Sequence, residues 1–99
     1  MQNNMEFNEL NFLVLEWAKD KGIFAKATPL SQHSKTLEEV EELTEGIEAQ
    51  KNGLLEFTNS KGELKNTEFE IQDAIGDILV TLIIQCKMQG ISPEECLES

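Results

Sequence analysis

The sequence predicts an all-α protein, a bundle of about four helices per chain completed by oligomerisation. Three observations carry that prediction. Apolar residues recur at helical spacing through most of the chain. Pro29 and Pro93 each follow a Thr or Ser that can cap a helix, the place where a missing N–H costs nothing. Residues 67–89 are apolar around most of a helical circumference, which is more surface than a chain of 99 residues covers by itself.

The first helix is expected from about Glu6 to Lys21, with Asn4 as a cap. Phe7, Leu10, Leu13, Val14 and Trp17 form its stripe, and Gly22 supplies a left-handed end. Trp17 reads as core, with stacking on a base as the alternative. The second helix opens at Thr28-Pro29. Leu30, Leu37, Val40, Leu43 and Ile47 make its apolar face, the opposite flank is acidic, and the helix fades between Gln50 and Gly53. Residues 51–66 are the least regular stretch. Asn59-Ser60-Lys61-Gly62 is a turn, and Leu55-Glu56-Phe57-Thr58 before it is either a short strand or a helical turn. The third helix is expected from Thr67, where Thr67-x-x-Glu70 fits a capping box, to Gln89 before Gly90. At ~1.5 Å per residue it is roughly 33 Å long. Ser92-Pro93-Glu94-Glu95 opens a fourth helix with a cap, a helix-opening proline and a capping-box glutamate.

Length and charge restrict the function. Residues 1–99 read as a single domain. Nineteen acidic residues against eight basic leave a formal net charge of −11. That argues against nucleic acid, whose binding rests on Lys and Arg, yet an acidic site can hold a polyphosphate through a divalent cation. No window of about 18 apolar residues is present, so no membrane span is expected. The N-terminal residues lack the basic start and apolar run of a signal peptide. Cys86 and Cys96 form no CxxC motif and read as free thiols packed in the third and fourth helices of a cytoplasmic protein. His33 has no nucleophile pattern near it and reads as a surface residue, and no GxxxxGK[ST] phosphate loop is present.

The carboxylates carry the chemistry. On the third helix Asp73, Asp77 and Thr81 repeat every four residues as one polar stripe on an otherwise apolar rod. Two acids one turn apart repel, and more strongly when dry, so the stripe calls for compensation by a cation or by basic residues. On the second helix Glu39 and Glu42, or Glu38 and Glu42, can aim at one point. Antiparallel packing would let these acids converge on Mg²⁺, which prefers oxygen ligands and keeps several waters. Glutamates on a solvated helix face, and aspartates lining a polar interface, are the plainer readings of each group taken alone. For Glu70 the capping box supplies a local reason.

These residues resemble the MazG-like nucleotide pyrophosphohydrolases of the all-α NTP pyrophosphatase superfamily. Gln32, Lys35, Glu38, Glu39 and Glu42 stand at the family's spacing of a Gln and a Lys before an EExxE box. Asp73-Ala74-Ile75-Gly76-Asp77 resembles the later acidic box, and Trp17 and Gly22 resemble the first helix and its turn. Two departures stand out. Ala74 occupies the place of the box's usual glutamate, so Asp73, one turn from Asp77, is expected to replace it. The 51–66 connection is longer than in compact members.

The resemblance implies hydrolysis of (d)NTP to (d)NMP and pyrophosphate by a cytoplasmic homo-oligomer, a dimer or a tetramer. Glu39, Glu42, Asp73 and Asp77 would hold Mg²⁺, or Mn²⁺ as a substitute. Glu38 would orient or deprotonate the attacking water, and Lys35, Gln32 and Trp17 would contact substrate. Two other readings stay open. One is a non-catalytic helical oligomerisation module with a solubilising acidic coat. The other is a nucleotide sensor that binds without cleaving.

Overall fold

The computed structural model describes residues 5–99. Asn4, the expected first cap, lies outside the described residues. The elements follow in the order α1 (Phe7–Asp20), α2 (Ile23–Lys26), α3 (Pro29–Lys51), β1 (Glu56–Thr58), β2 (Leu64–Asn66), α4 (Thr67–Gln89) and α5 (Pro93–Glu98). The protein is therefore predominantly helical, with a two-stranded sheet and a one-turn helix beyond the four helices expected. Contacts gather into two compact units, Met1–His33 with Val80–Ser99, and Ser34–Leu79.

The first unit holds α1, α2, α5 and one end each of α3 and α4. The Glu6 N–H donates to the Glu9 carboxylate at 3.2 Å where α1 begins. The helix runs into Gly22, whose φ of 76° is the left-handed end expected there. The covered stripe of α1 is Asn11, Val14, Leu15 and Ala18, with Ala18 fully buried. Trp17 is 48% exposed and so is not the core residue expected. The reason is a rotation of about one residue: both stripes of α1 are apolar, and packing selects the one carrying the small Ala18, which permits close approach.

Thr28 caps α3 as expected, its Oγ1 accepting the Ser31 N–H at 3.1 Å. The Gln32 amide donates to the Thr81 carbonyl at 3.2 Å and the Gln85 amide to the Pro29 carbonyl at 2.9 Å, which ties α3 to α4 within this unit. Ser92 and Glu95 form the expected capping box of α5. Cys86 and Cys96 are free, but they are not packed as expected: Cys86 is half-buried and Cys96 exposed. Their sulfurs stand 4.0 Å apart, bringing α4 and α5 together. Burial, followed by the Cys96 contact, pushes the Cys86 thiol up.

The second unit is built on α3 and α4. A Cβ added at Gly46 would lie 3.0 Å from Ile71 Cγ1 and 3.7 Å from the Ile71 backbone nitrogen. A mid-helix glycine costs about 1 kcal/mol relative to alanine, and here it is what lets the two helices approach. After α3, Gly53 takes φ 71° and the chain enters an antiparallel hairpin with Phe57 opposite Lys65. Residues 55–58, open between strand and helical turn, thus resolve as strand β1. α4 starts at Thr67 as expected, but its cap differs. The Asn66 carbonyl oxygen Oδ1 accepts the Phe69 N–H at 2.9 Å, so Asn66 caps the helix and Thr67 is already inside it. The Thr67 hydroxyl is buried without a partner, and Glu70 falls one place beyond the capping-box position.

Burial across the described residues is inverted relative to an ordinary core. Buried side chains include Gln32, Thr36, Glu39, Asn59, Thr67, Glu70 and Thr81, against apolar Ala18, Ala49, Ala74, Ile83 and Ile84. Large apolar groups lie outside: Phe69 is 65% exposed, Leu37 54% and Leu79 52%. The apolar rod expected to be buried, α4, is thus only partly covered by its own chain.

Candidate functional site

The second unit brings together the carboxylates that the sequence places on two helices. Going backward from Gly46, α3 presents Glu42 and then Glu39; going forward from Ile71, α4 presents Asp73 and then Asp77. Because Gly46 meets Ile71, this opposite chain direction puts Glu39 beside Asp77, near enough that each carboxyl shifts the acidity of the other. Two acids in contact require either a shared proton or a cation between them.

The electrostatics report that demand. Glu39 is 6% exposed, and its pKa is raised first by burial, then by repulsion from Glu42 and Asp77, with Lys35 opposing. Asp77 is raised by burial first, then by Asp73 and Glu42, while the Glu39 hydrogen bond and Lys35 act the other way. Glu70, only 2% exposed, is raised by burial and by Glu42, Asp73 and Glu63, against the lowering effect of Lys65. Glu42 of α3 therefore acts on acids of both helices and Asp73 on its α4 neighbours Glu70 and Asp77, so the five acids share one field.

Three lysines offset part of this charge. Lys35 Nζ stands 3.6 Å from Glu38 and 3.8 Å from Glu39, Lys65 Nζ stands 3.9 Å from Glu70, and Lys61 Nζ stands 3.4 Å from Glu42. Of these lysines, Lys35 opposes the rise of both Glu39 and Asp77 without cancelling it. No protein-family model, curated protein or solved structure matches this chain. The site is accordingly read from its own geometry.

The donors are all carboxylate oxygens, the set that suits a hard divalent cation such as Mg²⁺ rather than a thiolate-seeking metal. Glu39 and Asp77 are the nucleus of such a site, with Glu42 half-buried and Asp73 exposed beside them. Among the described residues no three His, Cys, Asp or Glu side chains are already gathered as a metal-binding group. Ligation would require Glu42 and Asp73 to turn toward the pair.

The remaining candidates fall as follows. Glu38 is exposed on the next position of α3, within reach of Lys35. Ala74, 1% exposed, is packed where a longer acid would not fit without displacing its neighbours. Gln32 and Trp17 belong to the first unit; Gln32 is 5% exposed and committed to the Thr81 carbonyl, and Trp17 lies on the open stripe of α1. A cleft of about 360 Å³ at the base of the hairpin is lined by Gln50, Leu54, Leu55, Thr67 and Glu68 and includes none of Glu39, Glu42, Glu70, Asp73 and Asp77.

The sequence favours a local capping role for Glu70 over ligation and gives the hairpin lysines no role. Asn66, a better N-cap than Thr67, was the signal that could have freed Glu70 from a local role. For Lys61 and Lys65 no sequence signal existed, because only the hairpin's register aims them at α3 and α4. No helix among the described residues is long and apolar enough to cross a membrane.

Proposed function

We propose that this chain is a cytoplasmic, Mg²⁺-dependent nucleoside triphosphate pyrophosphohydrolase, working as a homo-oligomer and converting (d)NTP and water to (d)NMP and pyrophosphate. The observation that carries the reading is the close approach of α3 to α4 at Gly46 and Ile71, which sets Glu39 beside Asp77 inside a field of further carboxylates. The resemblance of residues 32–42 and 73–77 to the MazG-like boxes supports it and supplies the α-phosphorus as the point of attack. Glu39, Glu42, Asp73 and Asp77 would hold the ion, with Mn²⁺ as a substitute. Once bound, the ion supplies positive charge to the triphosphate and acidifies the attacking water.

The chain's own residues do the rest. Glu38, exposed beside the buried Glu39 and 3.6 Å from Lys35, accepts the proton of the water as the water oxygen bonds to the α-phosphorus and the bond to the pyrophosphate oxygen breaks. Lys35 then meets a phosphate oxygen. The uncovered Leu37, Ile75 and Leu79 are faces for a second copy, since contiguous exposed apolar groups are uncommon on a monomer.

The test is pyrophosphate release from a panel of NTPs and dNTPs with Mg²⁺. Asp77→Asn should abolish release while retaining helical circular dichroism. Silence of the wild-type chain across the whole panel would overturn the reading. The exposed apolar faces favour one alternative, a non-catalytic oligomerisation module. In that case the melting temperature would not respond to millimolar Mg²⁺ or Mn²⁺, whereas a site formed only in the folded state must raise it.

A further inference from the structure

The β1–β2 hairpin fills the connection that is longer than the resemblance requires, and its tip is built with more care than a spacer needs. Asn59 is 8% exposed. Its Oδ1 accepts the N–H groups of Lys61 at 3.0 Å and Glu63 at 2.9 Å, and its Nδ2 donates to Glu63 Oε1 at 3.0 Å. Gly62 turns the chain with φ 81°. The tip is then fastened to α3: Ser60 N–H and Oγ–H donate to the two oxygens of Glu45, both at 2.8 Å. This clamp sits one helical turn from Glu42, and it delivers Lys61 Nζ to Glu42 Oε2 at 3.4 Å.

The two hairpin lysines differ in kind. Lys65 is 31% exposed and bridges Glu63 of the hairpin at 3.7 Å and the 3%-exposed Glu70 side chain at 3.9 Å, which holds the hairpin to α4. Lys61 is 61% exposed and makes a single contact with a carboxylate that is 23% exposed. A solvated one-to-one ion pair of this sort is weak and easily exchanged. A divalent cation competing for Glu42 carries twice the charge, and it would displace the ammonium. The backbone of Lys61 could not follow, because Asn59 and Ser60 hold it. The freed ammonium would stay at the edge of the carboxylate cluster, where the oxygens of a cation-bound polyphosphate must lie.

We propose that Lys61, carried on the clamped tip of the hairpin, is a substrate-binding residue that covers Glu42 until a divalent cation takes that carboxylate, and then contacts the polyphosphate of the nucleotide. The inference rests on the pyrophosphohydrolase reading above and adds a residue that reading does not use. It predicts two effects of opposite sign from one substitution. Lys61→Met removes a competitor for the cation and a contact for the nucleotide.

The experiment is titration calorimetry on the full chain with Mn²⁺ alone, and then with a non-hydrolysable triphosphate analogue at saturating Mn²⁺. Lys61→Met should tighten Mn²⁺ by about three- to tenfold and weaken the analogue by about five- to tenfold. Lys61→Arg should restore analogue binding to within about twofold of wild type, since it keeps the charge. Unchanged affinities in Lys61→Met, or two affinities moving in the same direction, would overturn the role of Lys61 and leave the enzyme reading standing. A wild-type chain that takes up no Mn²⁺ at millimolar concentration would overturn both.

Discussion

The two units of the chain are held by different forces. In Ser34–Leu79 the ties between elements run through charged groups: Lys61 to Glu42, Lys65 to Glu70, Ser60 to the Glu45 carboxylate, and the neighbouring acids Glu39 and Asp77. In Met1–His33 with Val80–Ser99 they are neutral: the Gln32 amide to the Thr81 carbonyl, the Gln85 amide to the Pro29 carbonyl, and the sulfurs of Cys86 and Cys96. A neutral amide bond is indifferent to pH and to cations. A cluster of crowded acids is not, because each buried carboxylate must find a proton or a positive charge. The contrast places the chemistry in one unit and expects the other to be a bystander to metal and acid.

The sharpest way to break that contrast is activity. Asp77→Asn should lower pyrophosphate release by at least about a hundredfold, whereas Cys86→Ser in the neutral unit should leave it within about twofold. A large loss in the cysteine variant would erase the distinction.

Packing comes next. Gly46→Val places a Cβ 3.0 Å from Ile71 Cγ1 and should cost about 1–3 kcal/mol in urea unfolding. It should also weaken Mn²⁺ binding, because the Gly46–Ile71 approach sets the distance between Glu39 and Asp77. Destabilisation with unaltered Mn²⁺ affinity would uncouple helix spacing from the site.

Acidity sharpens the comparison further. Burial raises Glu39, Glu70 and Asp77, so the folded chain keeps protons that the unfolded chain releases. The stability they lend is full below the ordinary carboxylate range and is lost as pH rises through their raised values. Glu63, lowered by Asn59 and Lys65, acts in the opposite sense from an exposed position. The metal-free melting temperature should therefore fall as pH rises above the ordinary carboxylate range. Saturating Mn²⁺ should flatten that fall, since ligation stabilises the ionised acids. A metal-free melting temperature that climbs over this range would contradict the burial of the acid cluster.

The proposed assembly offers a fourth measurement. Leu79→Glu, on the open side of α4 at 52% exposure, should shift the mass seen by light scattering to that of a single chain. A wild type that already scatters as one chain would remove the need for a second copy. The smallest effect is expected at Thr67. Its hydroxyl is buried without a partner, so Thr67→Val should change stability by less than about 1 kcal/mol, upward if at all.

Much of the fold was legible because helix ends are local chemistry. Thr28-Pro29, Ser92-Pro93 and Gly90 each act on groups a few residues away, and α3, α4 and α5 start or stop at them. The acid boxes were legible for the same reason: Glu39 with Glu42, and Asp73 with Asp77, lie one turn apart on their own helices. α4 starts at Thr67 as expected, but its cap is Asn66, because Asn66 and Thr67 both can cap and only the hairpin's geometry chooses between them. Trp17 was placed inside because α1 has two adjacent apolar stripes, and periodicity does not say which one a neighbour covers.

What the chain encodes by itself, then, is every feature that depends on residues within about one helical turn: where helices begin and end, which face of each is acidic, and how many acids must be neutralised. Three things needed the tertiary structure. These are the contact of Glu39 with Asp77, the enclosure of Glu70, and the aim of Lys61 at Glu42. Each depends on the register between segments dozens of residues apart. A single close approach, Gly46 against Ile71, and a single clamp, Ser60 on Glu45, set that register, and no local pattern in the chain encodes a distance between helices.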